Sequence, residues 1–185
     1  MNGSTRNGAV VAMLAGLAYG IQSIMGVIKP QAEIFSGTSD YVLEAVFIVA
    51  LAATIFALTG LHSFAGDRYG RTGMVGFWLT VMGTALTTIS AVATLVAGQN
   101  SLGIAFLGGV LLSLIGYIVL GITTLRAKVL PTWAGLALIF GFPLSLFLST
   151  FGGGILLGLA WLSVGYFLLR QKSYAEPKAY SEKPI

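Results

Sequence analysis

Long apolar runs, broken by short polar interruptions, make up most of the chain. Six of them stand out, at residues 8–29, 41–62, 73–98, 103–125, 133–150 and 152–170. Runs of about 20 residues match the hydrocarbon core of a bilayer, because a helix rises about 1.5 Å per residue. A spanning backbone must satisfy its own hydrogen bonds in lipid, which favours helices, and the residue-by-residue alternation of a membrane β-barrel is absent. The pattern predicts an all-α, polytopic transmembrane bundle of six spans over residues 1–170. A polar, proline-containing tail over 171–185 is expected to be disordered. The last two runs are the shortest, and Thr150-Phe151-Gly152-Gly153-Gly154 alone separates them; glycine there can supply the positive φ of a tight turn.

Charge then orients the spans. Of the ten basic residues, nine fall on one side if both termini are cytoplasmic: Arg6, Arg68, Arg71, Arg126, Lys128, Arg170, Lys172, Lys178 and Lys183. Lys29 is the exception, at a helix end where its stem can snorkel, and the outer loops carry Glu33 and Asp40. The expected location is therefore the cell membrane, multi-pass, with the lipid bilayer as the first partner. The apolar run after Arg6 exceeds the 7–15 residues of a signal-peptide core, so the first span is read as uncleaved.

Composition narrows the chemistry. With 56% hydrophobic and 9% charged residues, the chain departs from the roughly 25% charge of a soluble domain. It has no cysteine, which excludes disulfides, thiolate metal sites and cysteine nucleophiles. The net charge of +4 is scattered over helix ends rather than gathered in a stripe, so no nucleic-acid partner is expected. Asp40 and Asp67, the two aspartates, fall on opposite sides of the membrane in this topology, and a lone His62 has no second histidine to pair with. No catalytic residue, metal site or cofactor site is expected, and the chain is read as non-enzymatic.

Small residues recur at helical spacing and predict close helix packing, since van der Waals contact replaces hydrophobic drive in lipid. The candidates are Gly16 and Gly20 in the first span, Gly76 and Gly83 in the third, and Gly154 and Gly158 in the sixth. Whether such faces meet within the chain, in a second copy or in another membrane protein stays open. In the third span Gly76, Thr80, Gly83, Thr84, Thr87, Ser90 and Thr94 share one face, while Trp78, Met82, Ile89, Val92 and Val96 point towards lipid. That face is either a packing surface whose hydroxyls bond back to the i−4 carbonyl or the wall of a polar cavity; the packing reading is preferred. Gln22, deep in the first span, needs a partner, and Thr80, Thr84 and Thr87 are the candidates. Glu44 lies near the outer end of the second span, within reach of headgroups or Lys29. Pro143 removes a backbone bond to the Ile139 carbonyl and should kink the fifth span.

A faint repeat relates Gly108-Gly109-Val110-Leu111-Leu112-Ser113-Leu114 to Gly153-Gly154-Ile155-Leu156-Leu157-Gly158-Leu159. Asp67-Arg68-Tyr69-Gly70-Arg71 resembles the core of the loop motif of major facilitator transporters, with Ser63 and Thr72 departing from the family's pattern. More of the chain, from the third span onward, resembles small six-span membrane proteins common in actinobacteria and related bacteria. The residues that carry this are Gly70-Arg71-Thr72-Gly73-Met74-Val75-Gly76-Phe77, Leu125-Arg126-Ala127-Lys128-Val129-Leu130-Pro131-Thr132-Trp133-Ala134-Gly135 and Leu159-Ala160-Trp161-Leu162-Ser163-Val164-Gly165-Tyr166. That resemblance implies a fold and a membrane location and no activity. Two functions remain: a structural or partner-binding membrane protein, and a small transporter or channel acting as a dimer of six-span units. The transporter reading requires a hydrated cavity lined by Thr80, Thr84 and Thr87 with Gln22; the packing reading requires those residues closed against a helix.

Overall fold

The computed structural model describes residues 3–29, 34–99 and 103–170. The tail at 171–185, expected to be disordered, and Glu33, expected in an outer loop, lie outside the described residues. The described residues form six α-helices: α1 (Gly3–Ile28), α2 (Thr38–Ala65), α3 (Gly70–Ala97), α4 (Gly103–Arg126), α5 (Thr132–Phe147) and α6 (Gly154–Arg170). A four-residue 3₁₀ turn, Gly66–Tyr69, joins α2 to α3, and another, Ser149–Phe151, lies between α5 and α6. Three stretches are long and apolar enough to cross a membrane: 5–28, 38–97 and 103–126. The second contains both α2 and α3, which are 28 residues each. Helices α5 and α6 are equally apolar but shorter, at 16 and 17 residues.

The exterior is what a membrane requires. Val10, Leu14, Leu17, Ile21 and Ile24 expose a stripe along α1, and Trp78, Met82, Ile89, Val92 and Val96 expose the face of α3 expected to meet lipid. Leu107, Leu111, Ile115, Phe140 and Leu159 continue the apolar surface on α4, α5 and α6. Many of the buried residues, in contrast, are hydroxyl-bearing: Thr54, Thr80, Thr84, Thr87, Ser90, Ser113 and Thr124. An apolar outside around a more polar inside marks a protein whose solvent is lipid.

Each helix packs on its neighbour in sequence, and α6 returns to pack on α1, so the six close into a ring. Short connections make neighbours antiparallel. The contact between α3 and α4 is the most extensive, and its register explains why. A Cβ added to Gly76 would lie 2.8 Å from the Leu120 amide, and one on Gly83 would lie 2.7 Å from the Gly109 carbonyl oxygen. The reverse holds as well: a Cβ on Gly109 would lie 2.8 Å from the Thr87 amide, and Gly116 faces Thr80 as closely. Backbone therefore touches backbone over four successive turns, which is possible only where side chains are missing.

The same device fastens α1 on two sides. Gly8 meets Gly60 of α2 backbone to backbone. On the other side, a Cβ on Gly16 would lie 2.5 Å from the Gly158 carbonyl oxygen, and one on Gly165 would lie 2.6 Å from that of Ala9. A Cβ on Gly154 would lie 3.2 Å from the Ser23 side chain. Gly20 departs from expectation. A Cβ there would meet nothing within 4 Å, so it is not a packing glycine, although its amide lies 3.2 Å from where a Gly158 Cβ would be. The glycine four residues on from Gly16 has simply turned past the contact line. The proposed repeat is not reflected in these contacts, since Gly109 packs on Thr87 of α3 and the aligned Gly154 packs on α1.

Turns follow the expected chemistry. Gly66, Gly70, Gly98 and Gly152 have positive φ; in the Gly152-Gly153-Gly154 run only the first does. Tyr69, in the loop motif, turns inward, is 3% exposed, and its hydroxyl lies 2.9 Å from that of Thr124 on α4. Asp40, in the first turn of α2, accepts a 2.9 Å bond from the Ser36 amide and so ties the preceding turn to the helix. Lys29 donates to Ser39, which ties the end of α1 to the same turn. Pro143 sits inside α5, which continues to Phe147.

Substitution at the glycines tests this register. Gly83→Leu should lower stability in detergent by about 1–3 kcal/mol through overpacking, while Val92→Leu, on a side chain 42% exposed, should leave it unchanged. Gly16→Ala should destabilise, whereas Gly20→Ala should stabilise by about 0.5–1 kcal/mol, because alanine favours helix and nothing obstructs it. Thermal unfolding of the four purified variants is the measurement, and equal effects at positions 16 and 20 would refute the packing described.

Candidate functional site

Inside the ring, side-chain size decides where the axis is filled. The end bearing the α2–α3 and α4–α5 connections is called lower, the other upper. Leu58, Leu61, Leu120, Leu138, Val164 and Leu168 are all at most 1% exposed and pack the lower half solid. At mid-height an aromatic floor follows. Tyr117 stacks on Phe142 at 4.9 Å between ring centroids and meets fully buried Trp161 edge-on at 6.3 Å. Tyr19 joins this level, with its hydroxyl 3.3 Å from that of Thr54, which also donates to the Ala50 carbonyl at 2.9 Å.

Above the floor the axis is left open, walled by small polar side chains such as Thr87 and Ser145 together with large apolar ones such as Phe47, Phe106 and Leu157. A cavity of about 470 Å³ results, to which all six helices contribute. It extends from Tyr19 and Tyr117 up to Phe35, Thr94 and Ser149, near the upper connections. Its volume falls within the roughly 300–1,000 Å³ typical of small-molecule sites. The upper end is laced together by the Phe35 amide donating to the Gly98 carbonyl at 2.9 Å and by the edge-on pair of Phe35 and Tyr41.

The four candidate residues divide. Gln22, Thr84 and Thr87 line the cavity together. Thr80 does not: it is fully buried against Gly116, and its hydroxyl donates back to the Gly76 carbonyl at 2.8 Å. Thr87, Thr88 and Ser90 also bond back one turn, as a packing face would. The third span thus does both jobs on one face. Its Gly76-Thr80-Gly83 edge packs on α4, and its Thr84-Thr87-Ala91-Thr94 edge faces the cavity. The two groups overlap in direction around the helix axis and differ in height along it, the first lying nearer the lower end.

Glu44 is where expectation fails most. Expected within reach of headgroups or Lys29, it is 8% exposed and lines the cavity. Ser113, Ser145 and Tyr117 are further lining residues that the sequence reading did not single out. No short-range pattern marks them, because they reach the cavity only through ring closure. His62 lies elsewhere, stacked on Phe77 at 4.5 Å near the lower end. Among the described residues no group of three His, Asp or Glu is placed to hold a metal ion.

Comparison with known proteins adds no relative: no protein-family model, curated protein or solved structure matches the chain.

Two hydroxyl replacements test this division. Thr80→Val keeps the shape and removes a bond made within its own helix, so stability should change by less than about 1 kcal/mol. Tyr19→Phe breaks the bond between α1 and α2 and should cost about 0.6 kcal/mol, up to roughly twice that. A loss well beyond this in unfolding experiments would mean that the floor depends on Tyr19 for more than one hydrogen bond.

Proposed function

We propose that this is a non-enzymatic protein of the cell membrane that binds a small molecule in its central cavity, in the manner of a transporter subunit. Six spans with both termini cytoplasmic place the upper end, and so the cavity, towards the outside. Support for this orientation comes from charge: Arg68, Arg71, Arg126, Lys128 and Arg170 all lie at the lower end. Support for counting α5 and α6 as spans comes from the ring, in which they pack alongside the longer helices.

The observation that carries the binding reading is the cavity itself. A protein whose role is only to pack would have little reason to gather Gln22, Glu44, Thr84 and Thr87 around an open volume of this size. The solid lower half means that passage across the membrane requires the helices to move. Two such units working as a dimer would supply the rocking surfaces that transporters use. The resemblance of the 67–71 turn to the loop of major facilitator transporters accords with this reading.

The absence of cysteine makes accessibility easy to test. Single cysteines at Thr94, Thr87 and Thr80 should be challenged with a membrane-impermeant thiol reagent from each side. Thr94→Cys and Thr87→Cys should react from outside, and Thr80→Cys from neither side. Failure of Thr87→Cys to react in folded protein would remove the cavity reading. A C-terminal reporter reading outside would remove the topology.

A further inference from the structure

We infer that the cavity takes an organic cation with an aromatic or aliphatic body, its charge held at Glu44 and its body against the aromatic floor; this rests on the small-molecule reading above. Among the described residues Glu44 is the one carboxylate that lines the cavity, and no described lysine, arginine or histidine lines it. Glu44 sits in the first turns of α2, towards the upper end, so a ligand entering from that end meets the carboxylate first. Deeper in, the wall turns aromatic, with Phe47, Tyr19, Phe142 and Tyr117. Ring faces carry negative quadrupole density and attract cations, the more so where water is excluded.

The hydroxyls point the same way. Thr87 donates its proton to the Gly83 carbonyl at 2.9 Å, and Ser145 donates to that of Phe142 at 2.7 Å. A hydroxyl has one proton to give, so these two present lone pairs to the cavity. Carboxylate, lone pairs and ring faces all favour a cation, and Glu44 supplies the formal charge among the described lining residues. An anion would find no cationic side chain among the lining residues, while an ammonium group would find acceptors at several depths. A bare inorganic ion fits less well: the volume of about 470 Å³ far exceeds its needs, and no group of three carboxylates or histidines surrounds it among the described residues.

The test uses the full chain in lipid nanodiscs, titrated by calorimetry with a series of arylalkyl trimethylammonium ions. Each is compared with its neutral isostere, in which a quaternary carbon replaces the nitrogen. The cation should bind at least about ten-fold more tightly than the isostere, the scale of one desolvated charge contact. Glu44→Gln should abolish that preference, and Glu44→Asp should keep part of it. The cation should also protect Thr87→Cys from thiol reagent. Equal binding of cation and isostere, unchanged in Glu44→Gln, overturns the charge assignment and leaves a cavity for neutral molecules. Saturation by sodium alone, with exclusion of the organic cation, overturns it as well. If neither series binds and neither protects Thr87→Cys, the small-molecule reading falls with it. Should Glu44→Gln fail to fold, the preference of the parent protein and its retention in Glu44→Asp still decide.

Discussion

In lipid, a leucine gains little by exchanging acyl chains for a neighbouring helix, so this ring depends on close contact between backbones. The α3–α4 seam supplies it most fully, with Gly76, Gly83, Gly109 and Gly116 each removing a side chain that would hold the axes apart. Helix α1 is clamped in the same way between α2, through Gly8 and Gly60, and α6, through Gly16 and Gly158. Seams this tight orient the helices about their own axes. Once α3 is rotated to seat its glycines on α4, Thr84, Thr87 and Thr94 have no choice but to face the ring's interior. The cavity lining is thus a consequence of the glycine contacts.

The interior is divided by side-chain bulk. Below mid-height, buried leucine and valine fill the axis; above it, serine, threonine and glycine share the wall with Phe35, Phe47 and Phe106, and volume stays open between them. That volume is bounded below by rings in contact, Phe142 on Tyr117 and Tyr117 on Trp161. A molecule resting there would meet a rigid floor, and any transfer past it would require the α4, α5 and α6 contacts at that level to separate. The proposed binding function and the need for motion therefore arise from one feature.

Polar groups inside the ring are satisfied locally before they serve anything else. Thr80, Thr87, Thr123, Thr124 and Ser145 all return their protons to carbonyls within their own helices. This makes hydroxyls affordable in a lipid-facing protein, and it also sets their polarity towards the cavity, since a hydroxyl that has donated can only accept. Packing and recognition are consequently not competing explanations for the third span. The same bond that lets Thr87 be buried turns its lone pairs to the interior.

Sequence by itself determined the helical class, the apolar exterior and most of the helix boundaries, because hydropathy and turn glycines are local properties. It also identified Gly16, Gly76, Gly83, Gly154 and Gly158 as contact points, since small residues at helical spacing have few other uses in a membrane. It could not tell that Gly20 faces open space, because one turn of helix carries a residue off a contact line whose angle depends on the partner. It missed Glu44 as a cavity residue and Tyr69 as an anchor for the same kind of reason. Depth along a span is legible from residue number, but the direction a side chain faces depends on rotation about the helix axis, and that rotation is set by neighbours distant in sequence. The closure of α6 on α1 is the extreme case: no local signal encodes it, yet it makes the inward faces of six helices into one site.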